Sequence, residues 1–281
     1  MTIDDLARQQ PAIVEVQARI SETTSRDLRG VGELSSALAA HFRVTPTVVK
    51  GREGPFGRTP WEEDLHASRE VLRQAADLVA EHLAAGRRPI ALASDCALAL
   101  ATLPAVARQA PDTTFLWLDA HTDFDTPRTS TISFLGCMSL AGATGRWETG
   151  LGAVEPSTVV HAGARFVSGD FDETGHREAE RSELKMVGVD PGMAEHVLGH
   201  LGNAPVYVHL DPDVLDPSVN PVAYGREGGL DAEQLVGLLG AVAARGPVLG
   251  VEVTAYHSPD DPDGRAGVTQ LLGEAVSALL A

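Results

Sequence analysis

Short apolar runs alternate along the chain with longer stretches in which apolar residues recur every three to four positions. Seven runs have the length and residue types of strands: Ala12–Val16, Pro46–Val49, Pro89–Ala93, Thr114–Leu118, Val159–Ala162, Val206–Leu210 and Val248–Val253. Leu184–Val187 is a weaker eighth. Helical periodicity covers Arg26–His41, Trp61–Ala85, Ala97–Gln109, Pro191–Leu201, Asp231–Ala244 and Gly264–Leu280. Asp231, with Gln234 three residues on, predicts a capping box. Strands that are apolar almost throughout are covered on both faces. The alternation therefore predicts an α/β fold: a doubly wound, mainly parallel sheet with helices on both faces. Nothing resembles a linker or a repeat, so one domain over residues 1–281 is expected.

The Gly- and Pro-rich stretches are local: Gly51–Pro60, Thr122–Ser133, Pro212–Gly229 and His257–Gly267. Each follows a strand candidate. Open α/β sheets bind ligands outside the carboxyl ends of their strands, so these loops are expected to wall a site.

Composition narrows the function. A formal net charge of −17 argues against a nucleic-acid surface and against anionic lipid. No apolar run is long enough for a membrane span. The start, Met1-Thr2-Ile3-Asp4-Asp5, lacks a signal-peptide pattern. Two cysteines, Cys96 and Cys137, are too few for a disulfide framework, so a cytoplasmic location is expected.

The chemistry lies after two strands. Thr114–Leu118 runs into Asp119-Ala120-His121-Thr122-Asp123. In extended backbone, positions i, i+2 and i+4 share a face, so three strong ligands converge at a strand end. Val206–Leu210 runs into Asp211-Pro212-Asp213. Asp-Pro pairs and loop aspartates commonly serve turns alone. Two such clusters, each at the end of an apolar strand, point instead to a metal centre. Four carboxylates and one imidazole suit hard or borderline divalent ions such as Mn²⁺.

Trp117-Leu118-Asp119-Ala120-His121-Thr122-Asp123 resembles the Asp-Ala-His-x-Asp signature of the arginase/ureohydrolase family. Asp211-Pro212-Asp213-Val214-Leu215-Asp216-Pro217 resembles its second signature, Asp-x-Asp-x-x-Asp-Pro. Gly250-Val251-Glu252-Val253 is similar to its last strand. The resemblance implies a binuclear metal-dependent amidinohydrolase with two Mn²⁺, acting on a small guanidino substrate, in a homo-oligomer of three or six copies. It implies that Asp119 and Asp211 bridge both ions and that His121 and Asp213 complete one. Asp123 completes the other and orients the hydroxide nucleophile. Glu252 receives the substrate guanidinium, a planar fork that pairs with a carboxylate.

Three positions depart from the family pattern. Cys96 stands where the first ligand is a histidine. It has two readings, a small buried apolar residue or a thiolate ligand that tilts this subsite toward Zn²⁺ or Fe²⁺. Gly136 stands where arginases carry a proton-shuttling histidine. Asp125 stands where an asparagine meets an amino-acid carboxylate. Cys96-Ala97-Leu98-Ala99-Leu100-Ala101-Thr102-Leu103-Pro104, with Phe134-Leu135-Gly136-Cys137-Met138, resembles the branch that contains Nω-hydroxyarginine hydrolases, where a cysteine also takes the first-ligand position; Asp125 departs from that branch, which has asparagine there. The expected substrate is thus Nω-hydroxyarginine or a related N-hydroxyguanidine, less basic than arginine, cleaved to hydroxyurea or urea and an amine. An agmatinase or guanidino-acid hydrolase, and a non-catalytic binding protein, remain alternatives. Ser130 is a further candidate for the substrate's polar end. Arg165 reads as structural, His209 as a core histidine, Tyr224 and Arg226 as loop residues, and His257 as a residue near the site mouth.

Overall fold

The computed structural model describes residues 10–222 and 224–281; the stretch Met1–Asp5 read above lies outside them. All strands join one sheet and every pairing is parallel. In chain order they are β1 (Pro11–Gln17), β2 (Thr47–Lys50), β3 (Arg88–Ala93), β4 (Thr114–Leu118), β5 (Val159–Ala162), β6 (Lys185–Val187), β7 (Val206–Leu210) and β8 (Val248–Thr254). Their spatial order is β2-β1-β3-β8-β7-β4-β5-β6. The helices are α1 (Arg26–Phe42), α2 (Trp61–Ala84), α3 (Ala99–Gln109), α4 (Ser139–Ala143), α5 (Glu173–Glu180), α6 (Met193–Leu201), α7 (Ala232–Arg245) and α8 (Pro262–Leu279).

Two apolar layers sandwich the sheet. One face packs Val14, Ala91, Trp117 and Tyr207 against α2 and α3. The other packs Ile13, Ile90, Leu116 and Val208 against α1, α6, α7 and α8. Alternate residues of one strand thus enter opposite cores, and β3, β7 and β8 are buried along their whole length. That two-sided burial is the reason these strands read as continuous apolar runs. The edge strand β2 is mostly exposed. α7 starts at the expected box: Asp231 accepts from the Gln234 backbone N–H, and the Gln234 side chain accepts from Asp231 N–H.

Two helices went unread in the sequence. α5, Glu-Thr-Gly-His-Arg-Glu-Ala-Glu, buries little beyond Gly175, His176 and Ala179, so it carries almost no apolar period. α4 has five residues, all buried, and shows no alternation of faces. No helix among the described residues is long and apolar enough to cross a membrane.

The strand order decides where chemistry gathers. β3, β8, β7 and β4 are consecutive neighbours at the middle of the sheet. Their carboxyl ends carry Cys96, Thr254, Asp211 and Asp119. β1, on the other side of β3, adds Ser21 and Glu22.

Candidate metal centre

The turn after β4 presents Asp119, His121 and Asp123, and the turn after β7 presents Asp211 and Asp213; of these, Asp119, His121 and Asp213 bring their donor atoms together. Each motif is locked by its own amides. Asp119 Oδ1 accepts from His121 N–H at 2.6 Å. Asp211 Oδ1 accepts from Asp213 N–H at 2.8 Å. The motifs are tied together where Ala120 N–H donates to Asp213 Oδ1 at 2.9 Å, and where His121 Nδ1 lies 2.8 Å from Asp213 Oδ2. Trp117 Nε1–H holds Asp119 Oδ2 at 3.1 Å. Cys96, in the turn after β3, points its thiol at Asp211 Oδ2, 3.2 Å away. Donor atoms of Asp119, His121 and Asp213 lie within 4.8 Å of one another, as do those of Cys96, Asp119 and His209.

This much negative charge out of water is unfavourable. Burial and Asp213 push the Asp119 carboxyl up to about 6. Burial, then Asp119, raises Asp123 well above the ordinary carboxylate range. Burial, then Asp213, does the same to Asp211. Asp213 alone goes down: burial raises it, but the His121 imidazolium outweighs that. Burial, then Asp211, raises the Cys96 thiol. Such mutual repulsion is what divalent cations relieve. His121 Nε2 is buried with no hydrogen-bond partner. An oxygen-rich set with an imidazole and one unsatisfied ring nitrogen fits divalent metal.

The cluster opens into a cavity of about 280 Å³, at the small end for metabolite sites. Ile132, Phe134 and Phe171 supply apolar wall, and Ser21, Glu22, Asp27 and Asp95 line it too. Asp123, Ser133 and Ala255 all border it and all have positive φ, 47°, 51° and 52°. Non-glycine residues pay about 1–3 kcal/mol for such backbone. Strain held at three points of one cavity wall marks a site whose shape the surroundings enforce.

Not every expected residue arrives. The β7–β8 register pairs His209 with Glu252 and Leu210 with Val253, so Thr254 is the residue level with Asp211. Glu252 lies one step deeper on the same face. It is 0% exposed and does not line the cavity. Its oxygens meet His209 Nδ1 at 2.7 Å, Thr102 Oγ1 at 2.5 Å and Tyr207 Oη at 3.3 Å. The expectation that Glu252 touches a guanidinium is therefore replaced by a role one layer back. Asp125 also misses the cavity: it is buried, accepts from Thr129 Oγ1 at 2.9 Å, and burial raises its carboxyl to about 6. Ser130 is half-buried and outside the cavity lining. Arg226 is buried in a clamp with Asp170, Asp172 and the carbonyls of Ala120 and Arg165. Arg165 in turn holds the carbonyls of Gly163, Asp213 and Val214, which makes it structural as read. Tyr224, 50% exposed, and His257 border the mouth.

Two residues were missed. Glu22 is 4% exposed and its Oε1 has no partner. It lies five positions past β1, and nothing in the sequence says that β1 adjoins β3. Thr254 shares a face with Glu252, a relation strand alternation does show, but its depth does not follow from alternation.

The profile described as "Arginase family" matches residues 12–280. The chain belongs to the arginase family and is a hydrolase acting on amidino groups. Among curated relatives, it is 29% identical over 252 residues to an N(omega)-hydroxy-L-arginine amidinohydrolase from Streptomyces lavendulae, covering 89% of this chain and 90% of that protein. It is 29% identical over 229 residues to arginase-1 of Homo sapiens, covering 74% and 70%. The arginase of Bacillus cereus superposes with a TM-score of 0.81 at 22% identity, over 98% of this chain and 99% of that one. Proclavaminate amidino hydrolase from Streptomyces clavuligerus gives 0.68 at 20% identity, over 97% and 90%.

Proposed function

We propose that the chain hydrolyses a guanidino C–N bond of Nω-hydroxyarginine or a related N-hydroxyguanidine, with two divalent ions, Mn²⁺ first among them, held by Asp119, His121, Asp123, Asp211, Asp213 and Cys96. The observation that carries this reading is the buried cluster of Asp119, His121 and Asp213, with Cys96 against Asp211, beside a small cavity that Asp123 also borders. The relative from Streptomyces lavendulae, named for action on Nω-hydroxyarginine, supports the choice of substrate. When bound, such ions lower the pKa of water toward neutrality and polarise the reacting carbon.

The chain's own groups do the rest. Asp123, held in strained backbone, takes the proton of the attacking water and returns it to the departing amine. Ile132, Phe134 and Phe171 exclude bulk water, which strengthens every charge interaction inside. The unpaired Oε1 of Glu22 faces the cationic end of the substrate. Gly136 supplies no shuttle. An N-hydroxyguanidine needs less help: its hydroxyl withdraws electron density, so more of it is neutral and its carbon is more open to attack.

A cationic tail, as in agmatine, is the second reading, favoured by the carboxylates of Glu22, Asp27 and Asp95 along the wall. Asp125 adds nothing to this reading, since it does not line the cavity. Arg58 borders the cavity and suits an amino-acid carboxylate. The test is a product assay on Mn²⁺-loaded protein with Nω-hydroxyarginine, arginine, agmatine and guanidinobutyrate. Hydroxyurea release from the first, faster than urea from the others, is expected. No product from any of them would sink the proposal.

A further inference from the structure

We propose that His209 is a metal ligand on the Cys96 side of the cluster, supplying from β7 the imidazole that the turn after β3 lacks. The inference rests on the proposed metal centre and adds a residue to it. The first observation is proximity. One donor atom each from Cys96, Asp119 and His209 lie within 4.8 Å of one another. Ligands about 2.0–2.3 Å from one ion sit roughly 3–4.5 Å apart.

The second observation is how the ring is held. His209 is 2% exposed. Its plane stacks on the Trp117 indole, with centroids 3.5 Å apart and an interplanar angle of 8°. Its Nδ1 lies 2.7 Å from Glu252 Oε1. Glu252 cannot swing away, because Thr102 Oγ1–H holds its other oxygen at 2.5 Å. A carboxylate at Nδ1 fixes the proton there and leaves the lone pair on Nε2. That nitrogen faces Thr254 Oγ1 at 3.2 Å, and the same hydroxyl lies 3.2 Å from Cys96 Sγ. A carboxylate behind one nitrogen, with the other directed at a hydroxyl that also meets Cys96 Sγ, is the arrangement that orients ligating histidines. The same construction gives Glu252 its work: it is a positioning residue that acts through His209.

The test uses the full chain loaded with Mn²⁺ and labelled with ¹⁵N-histidine. Metal retained per chain is measured by atomic emission, and imidazole nitrogen couplings by pulsed EPR. Wild type is expected to retain two ions and to show two distinct imidazole nitrogens, from His121 and His209. His209→Gln is expected to retain one ion and one coupling. Glu252→Gln is expected to keep both couplings but to weaken one ion about 10–100-fold. Retention of both ions and both couplings by a folded His209→Gln would overturn the inference while leaving the guanidino hydrolase standing. Should His209→Gln not fold, Glu252→Gln decides: unchanged affinity for both ions overturns the inference. Wild type that retains only trace metal would overturn this inference and the metal centre beneath it.

Discussion

Replacing Glu22 by glutamine keeps the side chain's shape and removes an ionisable group from the cavity wall. In the structure, Glu22 Oε2 accepts from Ile20 N–H at 2.9 Å, a bond that the glutamine carbonyl preserves. Oε1 has no partner, and Glu22 lines the cavity. Burial, then repulsion by Asp95, pushes the Glu22 carboxyl from 4.5 up to about 8. The sign follows from linkage. A carboxyl whose folded pKa is raised favours the folded chain only while protonated. Its contribution is complete below pH 4.5 and is lost as pH rises through about 8. Each pH unit in that window costs about 1.4 kcal/mol, so the ionisable Glu22 destabilises the ligand-free protein by on the order of 3 kcal/mol at pH 7 and about 5 kcal/mol above pH 8. Glu22→Gln removes that penalty. Urea denaturation of chelator-treated protein, at a series of pH values from 4 to 9, measures it directly. The two proteins should be equally stable at pH 4, and the variant should pull ahead with pH until the difference levels off above pH 8. A difference that is flat with pH, or that favours wild type at pH 8.5, refutes the reasoning. The same change should raise KM for a guanidino substrate roughly 10- to 100-fold, the worth of a hydrogen bond to a charged group. Stability is gained and binding lost, as expected of an acid kept at a functional site.

Cys96→His should raise Mn²⁺ retention at one subsite, read by metal analysis after desalting; unchanged metal content would show that Cys96 is not a ligand. Gly163 has φ 108°, and a Cβ there would lie 2.5 Å from Val214 Cγ2 and 2.9 Å from the Asp119 carbonyl oxygen. Gly163→Ala should therefore cost about 2–4 kcal/mol of stability and displace Asp119, lowering both the denaturation midpoint and metal affinity. Arg19 is fully buried, paired with Asp64 at 2.9 Å and hydrogen-bonded to the Glu22 carbonyl. Arg19→Met should cost about 3–5 kcal/mol in chemical denaturation, because Asp64 keeps only the half-exposed Arg52.

Much of the site was legible because its residues are local. Asp119, His121 and Asp123 lie on one short stretch, Asp211 and Asp213 on another, and the apolar runs before them told which ends of which elements they occupy. The central strands were equally legible, since two-sided burial writes itself as an unbroken apolar run. Glu252 was misplaced because a strand's alternation reports face and not depth. The residue beside Asp211 is set by β7–β8 register, which is a long-range pairing. Asp125 was read as a substrate contact for a similar reason: its loop turns inward after Asp123, and Asp125 bonds Thr129 instead of facing the cavity.

By itself the sequence determined the alternating α/β pattern, the two aspartate-bearing turns, the cysteine in place of a histidine, and the acidic net charge. These depend on side-chain types and on spacings of a few residues, which local backbone geometry converts directly into shared faces. Only the tertiary structure decided that β3, β8, β7 and β4 stand side by side. From that order come the contact of Cys96 with Asp211, the entry of Glu22 into the cavity from β1, and the row Trp117–His209–Glu252 beneath the cluster. Strand order is chosen by how the two helical layers bury the sheet as a whole. No single stretch of residues carries that choice.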